Sequence, residues 1–556
     1  MTDKSHDHLK TPLENFYHWE KSQPDAQFLA QPIDGKWITF TWKEAGVQIR
    51  KMASVIRQKD FPPGSKIALM SKNCAHWIMS DLAIMMSGHV SVPIYPNVSD
   101  ETVSYVLDHS EAKMLFVGKL EPGDWKVMRQ GIPSDMDCVD FGIYGLDASY
   151  TKWDELVSKA EPLIEEVSRD IDEIMTIIYT SGTTGVPKGV VQKFLGSAIA
   201  AEYFVRNFSV TTEDRFFSYL PLSHIAERLL TEIIVLYSGA SVHYVQSLDT
   251  FKENLAECEP TLFLAVPRIW TKFMNGVQAK FSPTKLNLLL SIPIINNIIR
   301  KKIRQALGVH KARICLTGAA PIAPSQLRWF DRLGITIYEV YGMTENNAYS
   351  HANVPGARKI GTVGKSLEGV ETKISEDGEI CIKSDATMVE YYKEPEKTAD
   401  AIRDGYLHTG DKGEIDDEGF VRITGRVKDM FKTSKGKYVA PNPIELLFAK
   451  NEHIEQICVV GPGVPQPMAL VELSEAAGAV DKESISESLK ESLMAINPDL
   501  EHHEQIHRMV VVSEKWTPDN GILTPTMKIK RNSVDKKYQD KYTSWYEHRE
   551  EICWET

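Results

Sequence analysis

The feature that most constrains the fold of this sequence is an alternation of short apolar runs, rich in β-branched and aromatic residues, with segments of helical periodicity. The segment "KIALMSKNCAHWIMSDLAIMMSGHVSVPIYP", residues 66–96, is typical of a strand, a helix and a second strand in succession. Similar runs follow at "RFFSYLPLSH", "ASVHYV", "TLFLAV", "ARICLTGAA" and "ITIYEVYG", with helical segments such as "SQLRWFDRLG" among them. This alternation predicts an α/β fold whose sheets are largely parallel.

The length and the changes of pattern along the chain predict its domain organisation. At 556 residues the chain exceeds what one hydrophobic core supports, so at least two domains are expected. From about residue 361 the pattern changes to short strands and turns, and beyond residue 429 a helix–strand pattern resumes. We therefore predict a large N-terminal domain at 1–425 with stacked α/β sheets and a β-rich subdomain at about 361–425, a connection at 426–429, and a small α+β C-terminal domain at 430–556.

Charge and cysteine content exclude several classes of protein. The formal net charge of −13 argues against a general nucleic-acid binder, because phosphate backbones favour positive protein surfaces. The seven cysteines lie apart and form no C-x-x-C pair, so neither a disulfide framework nor a zinc ribbon is indicated. The N-terminal segment lacks the apolar stretch of a signal peptide, and no apolar run reaches the roughly 18 residues of a spanning helix. We expect a cytoplasmic protein.

One apolar stretch leaves two interpretations open. "LNLLLSIPIINNII", residues 286–299, is followed at once by "RKKIR". Apolar stretches of this length usually belong to a core, so the pattern favours a pair of buried helical turns in the large domain. The alternative is a helix on a membrane surface, with its basic end near the lipid headgroups, which would place the protein at the inner face of a membrane.

The segment "IIYTSGTTGVPKGVV", residues 177–191, predicts a binding loop. The apolar residues on either side are typical of two strands joined by a tight loop. Three glycines, several hydroxyl groups and Lys188 would surround a polyanion such as the phosphates of a nucleotide. The Walker pattern does not match, because Pro187 precedes the lysine and Gly189 follows it. An ordinary turn of the same composition would not explain the lysine.

Two other motifs are weaker. "HEQIH", residues 503–507, satisfies the H-E-x-x-H pattern of zinc proteases, but "RMVVV" follows within one residue and is typical of a strand, so the helix that zinc binding requires would be too short. A serine hydrolase acting on lipids would need a G-x-S-x-G motif, which the sequence lacks.

Seven motifs in order resemble the AMP-forming acyl-CoA synthetases of the adenylate-forming superfamily over nearly the whole chain. They are "YTSGTTGVPKG" (179–189), "LPLSH" (220–224), "LTGAAP" (316–321), "YGMTE" (341–345), "GYLHTGD" (405–411), "GRVKD" (425–429) and "LTPTMKIKR" (523–531). Each motif is a modest signal, but the ordered set is specific. "LPLSHIAER", "AVPRIW" and "YVAPNPIE" are most similar to the branch that activates long-chain fatty acids.

The resemblance implies a two-step reaction. A medium- to long-chain fatty acid would react with ATP, in the presence of Mg²⁺, to give acyl-AMP and pyrophosphate, and CoA would then displace AMP. The alternatives within the superfamily are transfer to a carrier protein or another acceptor, and a relative that binds nucleotide or lipid without catalysis. The expected partners are the fatty acid and CoA and no nucleic acid; a homodimer and a peripheral membrane contact stay open.

The resemblance also assigns roles to individual residues. Lys528 would bridge the substrate carboxylate and the α-phosphate, with Lys530 as the alternative, because Met527 stands where much of the superfamily has glycine before the lysine. Thr180 and Glu345 would hold the metal ion, and Thr344 would contact the α-phosphate. The loop around the phosphates would comprise Thr180, Ser181, Gly182, Thr183, Thr184, Gly185 and Lys188.

The remaining assignments concern the nucleoside, the hinge and the acyl group. Asp411 would bind both ribose hydroxyls with help from Arg426, as a carboxylate with several acceptor positions can. Lys428 would be the hinge about which a mobile C-terminal domain swings. His224 would lie near the acyl carboxylate or the thiol entry, or be a packed core histidine. Glu227 and Arg228 follow it where some relatives have an aromatic gate to the fatty-acid tunnel. The residues assigned to the adenine slot and to further nucleotide contacts are Gly318, Ala319, Ala320, Tyr341, Gly342 and Lys437.

Overall fold

The computed structural model describes residue 6 and residues 8–180, 186–518, 520–524 and 527–555, and all structural statements here concern those residues. The fold is α/β with predominantly parallel sheets, which confirms the predicted class. The strand–helix–strand expectation for residues 66–96 is confirmed by strand Lys66–Met70, helix Ala75–Met86 and strand Val90–Ile94.

Two large sheets form the N-terminal part. The first contains β1 (Gln27–Ile33), β2 (Lys36–Thr41), β10 (Arg215–Ser218), β11 (Ser241–Tyr244), β12 (Leu262–Leu264), β13 (Ile314–Thr317), β14 (Ile337–Tyr341), β15 (His351–Ala352) and β16 (Lys365–Ser366). The second contains β3 (Lys66–Met70), β4 (Val90–Ile94), β5 (Met114–Val117), β6 (Asp137–Asp140), β7 (Thr151–Lys152), β8 (Ile174–Thr180), β9 (Lys188–Lys193) and β19 (Glu390–Tyr391).

The order of the strands shows where the sheets are parallel. The first sheet has the order β16-β15-β14-β13-β12-β10-β11-β1-β2, and the second has the order β19-β9-β8-β4-β3-β5-β6-β7. The central pairs of both sheets are parallel, and only pairs that involve β2, β15, β16, β9 or β19 are antiparallel. Parallel neighbours place the carboxyl ends of several strands at one edge, where open α/β sheets bind their ligands.

The helices connect these strands and cover the sheets. They are α1 (Pro12–Ser22), α2 (Trp42–Arg57), α3 (Ala75–Met86), α4 (Asp100–Ser110), α5 (Pro122–Met128), α6 (Trp153–Lys159), α7 (Phe194–Phe208), α8 (Ile225–Arg228), α9 (Ile234–Ser238), α10 (Phe251–Cys258), α11 (Pro267–Gln278), α12 (Pro283–Ser291), α13 (Pro293–Ala306), α14 (Pro324–Arg332), α15 (Pro395–Ala401), α16 (Pro441–Phe448), α17 (Lys482–Ile496), α18 (Arg531–Tyr538) and α19 (Tyr542–Tyr546).

Helix α3 explains why the two large sheets stack. All its residues are buried, and it contacts β3 and β4 of one sheet and β1 of the other. A helix that is apolar on nearly every side is stable only when it is surrounded by protein, so α3 lies within the main core. Its one acidic residue, Asp81, is therefore also buried and needs an internal partner.

Three smaller sheets follow along the chain. The β-rich sheet contains β17 (Glu371–Ile374), β18 (Glu379–Lys383), β20 (Ile402–Arg403), β21 (Tyr406–Ile415) and β22 (Val421–Arg426). A two-stranded pair contains β23 (Phe431–Lys432) and β24 (Tyr438–Val439), and the C-terminal sheet contains β25 (Ile454–Val460), β26 (Met468–Leu473), β27 (Met509–Val511) and β28 (Ile552–Trp554).

Two expectations from the sequence have clear outcomes. Residues 503–507 form a turn that leads into β27, so the argument against a zinc-protease helix is confirmed. The expectation of buried helical turns at 286–299 is wrong, because α12 and α13 expose Leu288, Ile294 and Ile298 to solvent. The two helices form a hairpin that packs largely against itself, so only a few of its apolar side chains reach the core. No described helix has both the length and the hydrophobicity needed to cross a lipid bilayer.

Candidate active site

A large cleft lies between the N-terminal part and the C-terminal sheet region. Its volume is about 2540 Å³, and its walls include residues of both parts. Single-ligand pockets usually measure roughly 300–1,000 Å³, so a cleft of this size has room for more than one substrate. Most of the residues assigned from the sequence line it, namely Thr180, Lys188, His224, Gly318, Ala319, Ala320, Tyr341, Gly342, Thr344, Glu345, Asp411, Arg426, Lys428 and Lys528.

Strands β8 and β9 hold the two ends of the predicted phosphate loop. They pair antiparallel, and Thr180 and Lys188 are direct partners across the strands. This geometry fixes the ends of the loop at one edge of the cleft. The assigned residues Ser181, Gly182, Thr183, Thr184 and Gly185 lie outside the described residues, so their contribution stays a prediction.

Tyr391 connects the lysine of this loop to the acidic residue assigned to the metal. The Lys188 ammonium lies 4.5 Å from the centre of the Tyr391 ring, and the Tyr391 hydroxyl donates a hydrogen bond of 2.7 Å to Oε1 of Glu345. Burial lowers the pKa of Lys188, whereas the negative charge of Glu345 opposes that shift. Sequence reasoning missed Tyr391, because it belongs to none of the seven motifs.

The residues around Glu345 fit a magnesium ion in chemical terms. Glu345 and Thr344 belong to a short 3₁₀ turn, and the Gln192 side chain of β9 donates a hydrogen bond to the carbonyl of Thr344. Both Thr180 and Glu345 line the cleft. A hydroxyl and a carboxylate in an open, solvated position are the hard oxygen donors that Mg²⁺ prefers.

Asp411 is held by two partners that the sequence placed in the same site. Its Oδ2 accepts a hydrogen bond of 2.6 Å from the Tyr341 hydroxyl, and its Oδ1 accepts one of 2.9 Å from Nε of Arg426. The charge of Asp411 raises the pKa of Arg426, and burial together with Asp411 raises the pKa of Tyr341 well above its usual value. A carboxylate has about four acceptor positions, so two are left for the hydroxyls of a ribose.

The glycines that the sequence assigns to an adenine slot lie very close to neighbouring backbone atoms. A Cβ added to Gly342 would lie 2.4 Å from the carbonyl carbon of Ala348, and one added to Gly318 would lie 3.0 Å from the carbonyl oxygen of Val340. Ala319 adopts a positive φ of 66°. These close approaches and the turn after β13 shape the wall of the cleft, and the assignment of these residues to adenine stays a prediction.

A tight turn presents Lys528. Leu523 and Ile529 form an antiparallel bridge, the amide of Lys528 donates to Oγ1 of Thr524 over 3.0 Å, and Met527 adopts a φ of 62°. The left-handed region of backbone conformations favours glycine. This explains why the glycine that much of the superfamily has before the lysine would suit the turn. Although Lys528 is exposed to the cleft, the surrounding protein and the charge of Arg426 lower its pKa, and Asp411 opposes this shift.

We expect Met527→Gly to stabilise this turn. A side chain at positive φ costs about 1 kcal/mol, which corresponds to roughly fivefold more hydrogen-exchange protection of the amides of residues 523, 524 and 527–531 in the variant. Met494→Gly is the matched control, because Met494 is an exposed methionine in α17 with helical geometry. In this helix, methionine to glycine should decrease the hydrogen-exchange protection of the neighbouring amides. Equal effects at the two positions would contradict the strain argument.

His224 is neutral and oriented. It precedes α8, and its Nδ1 accepts a hydrogen bond of 3.2 Å from the amide of Ala226, so the proton is assigned to Nε2. Burial and the charge of Lys528 lower the pKa of His224 to about 4. At neutral pH the ring therefore offers an uncharged N–H donor that lines the cleft.

Glu227 and Arg228, which follow His224, are both buried, and Glu227 holds the loop that carries His224. Oε1 of Glu227 accepts hydrogen bonds from the Ser218 hydroxyl at 2.8 Å and the Tyr219 amide at 3.1 Å. Burial raises the pKa of Glu227 to about 8. Asn73 donates to the carbonyl of Leu220 and accepts from the amide of Leu222, so it fixes the same loop.

The Arg228 guanidinium forms a fully buried ion-pair network. It pairs with Asp81 of α3 and, at 3.1 Å, with Glu232, and it donates to Oγ1 of Thr176 at 2.7 Å and to Oγ of Ser91 at 3.0 Å. Burial and Asp81 raise the pKa of Glu232 well above its usual value. The network connects α8 to the interior of β8, the strand that ends at the predicted phosphate loop.

The region around the predicted hinge is tied to the segment after Lys528. Arg531 pairs with Glu445 at 2.6 Å and with Asp429 at 3.4 Å, and its pKa is raised by these carboxylates although burial opposes the shift. Lys428 lines the cleft. Lys437 lies on the exposed turn between β23 and β24, outside the described lining of the cleft, so its role stays a prediction.

Comparison with known proteins identifies the family to which the sequence is similar. The sequence model of the family described as AMP-binding enzyme matches residues 16–392, and the one described as AMP-binding enzyme C-terminal domain matches residues 428–550. The chain is 28% identical to the long-chain-fatty-acid–CoA ligase FadD15 of Mycobacterium bovis, with 97% of each chain covered. It is 29% identical to long-chain-fatty-acid–CoA ligase 5 of Rattus norvegicus, over 93% of this chain and 85% of the relative.

A solved structure supports the fold at lower identity. The adenylation domain of the carboxylate reductase of Mycobacterium chelonae has a TM-score of 0.81 at 20% identity, over 97% of this chain and 91% of that chain. Such a likeness concerns the fold and leaves the substrate open.

Proposed function

Because this chain belongs to the AMP-binding enzyme family, we propose that it is an ATP- and Mg²⁺-dependent ligase of medium- to long-chain fatty acids. It would join the fatty acid to the α-phosphate of ATP, release pyrophosphate, and transfer the acyl group to CoA with release of AMP. The single observation that carries the proposal is the position of Lys528. It lines the same cleft as Asp411, Arg426 and His224, and the charges of Arg426 and Asp411 act on its pKa in opposite directions.

This position suits the adenylation step. A carboxylate oxygen must approach the negatively charged α-phosphate, and a cation fixed between them stabilises the transition state most strongly in a partly dehydrated site. The Lys528 ammonium is a compact charge on a flexible stem, and His224 adds a neutral donor. The reaction forms one carboxylate–phosphate bond and breaks the bond between the α- and β-phosphates, with pyrophosphate as the leaving group.

The metal and the nucleoside would be held by residues already described. Thr180 and Glu345 would bind Mg²⁺, which supplies positive charge to the phosphates when bound. Asp411 would orient the ribose, since Tyr341 and Arg426 already fix its carboxylate. Lys188 would contact the departing phosphates.

One part of the cleft is apolar, and this supports the proposal that the substrate is a fatty acid. It is lined by Ala200, Tyr203 and Phe204 of α7 and by Leu229, Leu230 and Ile234. Residues Leu229–Ile233 form a π-helical stretch, a type of irregularity that is frequent at functional sites. Each buried methylene of an acyl chain contributes about 0.8 kcal/mol, so an apolar wall of this kind favours longer chains.

The test measures pyrophosphate release with straight-chain acids of increasing length, each with and without CoA. We expect release to increase from short to long acids and acyl-CoA to form in stoichiometric amounts when CoA is present. Pyrophosphate release without a thioester would favour a carrier protein or another acceptor. No release with any acid would contradict the enzyme proposal and favour a binding protein.

A further inference from the structure

The α12–α13 hairpin exposes an unusual amount of apolar surface. Leu288 is 63% exposed, Ile294 78% and Ile298 50%, and Ile292 and Ile295 are also exposed. These side chains lie within eleven consecutive residues and belong to one helical hairpin. Scattered exposed apolar residues are ordinary, but a contiguous patch indicates a surface that is covered by a partner.

The charge around this patch is equally unusual. Between Thr261 and Phe330 the sequence contains eleven Lys and Arg residues and no Asp or Glu, although the whole chain has a net charge of −13. Some of these cations are used internally, since Arg313 pairs with Asp214 at 2.6 Å. Lys301 and Lys302 are exposed and form no ion pair with another described residue. The hairpin therefore carries positive charge that the protein itself does not neutralise.

Exposed isoleucines and an exposed lysine lie on the same side of α13. Ile303 is buried and Ile299 packs against the same core cluster, so this face of the helix holds it on the protein. Ile294, Ile298 and Lys302 follow each other at intervals of four residues and are all exposed, so they share the opposite face. An apolar stripe that continues into lysines is the arrangement of helices that lie in the interface of a membrane.

We propose that the α12–α13 hairpin docks on the surface of an anionic phospholipid bilayer. The isoleucines would enter the boundary between headgroups and acyl chains, and Lys301 and Lys302 would contact the anionic headgroups. A second copy of this chain would bring the same basic surface against itself, which like-charge repulsion disfavours. Helix α11, which precedes the hairpin, lines the cleft with Ile269. A membrane-bound enzyme would thus receive fatty acid from the bilayer. This uptake of fatty acid rests on the proposed function, whereas the docking of the hairpin on the bilayer does not.

Vesicle flotation with the full-length protein tests the proposal. The vesicles contain phosphatidylcholine alone or phosphatidylcholine mixed with phosphatidylglycerol. We expect binding to the anionic vesicles that weakens as salt is added, and little binding to the neutral ones. Lys301→Glu/Lys302→Glu should weaken binding by about 30-fold or more, because each lysine near an anionic surface contributes a factor of about five. Ile294→Ser/Ile298→Ser should weaken binding at high salt as well as at low salt.

Matched variants control for general effects of charge and polarity. Lys536 and Lys537 form another adjacent exposed lysine pair, on α18, although Lys537 also pairs with Glu514. Ile164, elsewhere on the surface, is 94% exposed. Lys536→Glu/Lys537→Glu and Ile164→Ser should retain most of the binding. Circular dichroism checks that all variants are folded, and acyl-CoA formation from a short soluble acid without vesicles checks that the cleft is intact.

Several outcomes would overturn the proposal. Equal binding of the hairpin variants and the wild type would show that another surface contacts lipid, and no binding of the wild type would exclude the membrane. Conversion of a dimer to a monomer by Ile294→Ser/Ile298→Ser would assign the patch to a second copy.

A raised KM for CoA in Lys301→Glu/Lys302→Glu, with vesicle binding unchanged, would assign the lysines to CoA phosphates. Vesicle binding without ligase activity would leave the docking surface standing and contradict only the proposed function.

Discussion

Lys528→Ala should decrease the rate of acyl-adenylate formation by about 10²–10³-fold, the usual effect of removing one group that stabilises charge in a transition state. The ammonium of Lys528 lies in the electrostatic environment of Asp411, Arg426 and His224, where two anionic reactants would meet. The second step has a different requirement. When CoA thiolate attacks a supplied acyl-AMP, AMP leaves and no carboxylate has to approach a phosphate. We therefore expect thioester formation from acyl-AMP and CoA to be largely retained.

The measurement compares the two half-reactions in the same preparation. Pyrophosphate exchange reports on adenylation, and acyl-CoA formation from synthetic acyl-AMP reports on transfer. Lys530→Ala is the matched control, because Lys530 lies two residues further, its amide donates to the carbonyl of Ile522, and it precedes α18. It should retain adenylation. If Lys530→Ala loses adenylation and Lys528→Ala does not, the catalytic lysine is Lys530.

Arg228→Met should decrease the free energy of unfolding by about 3–5 kcal/mol, the usual cost of leaving a buried charge without its partner. The side chains of Arg228, Asp81 and Glu232 are all fully buried. Methionine keeps much of the volume of arginine but cannot compensate the Asp81 carboxylate. Urea unfolding followed by far-UV circular dichroism measures the change.

Two further variants separate charge from packing. Asp81→Asn combined with Arg228→Met removes the Asp81 anion and leaves Glu232, whose pKa burial raises well above its usual value, so the double variant should recover a large part of the lost stability. Arg206→Met removes an ion pair with Glu368 in which both side chains are more than half exposed, and it should cost at most about 1 kcal/mol. A loss of similar size for Arg206→Met and Arg228→Met would contradict the burial argument.

The fold class and much of the candidate site could be predicted from the sequence. Alternating periodicity predicted the strand, helix and strand at 66–96, because that pattern depends on which faces of short segments are apolar. The motif order alone predicts that Asp411, Arg426 and Lys528 belong to one site. The glycine expected before Lys528 also had a local cause, which is the positive φ at residue 527.

Other features had no local signal. Asp81 looked like an interruption of an apolar run, yet it is the partner of Arg228, which lies 147 residues away. Tyr391 and Asn73 hold site residues in place but belong to no motif. The prediction of buried turns at 286–299 failed because composition shows that a segment is apolar but not whether the rest of the protein covers it.

The sequence by itself therefore determined the α/β class, the family resemblance and the chemical types of the site residues, because these depend on local periodicity, backbone requirements and motif order. Only the tertiary structure decided which charges are buried together, that Lys528 lines the same cleft as Asp411 and Arg426, and which apolar face stays uncovered. These properties depend on long-range packing. Packing sets how much water surrounds each charge and each apolar side chain, and that hydration controls both the pKa of a group and the free energy of burying it.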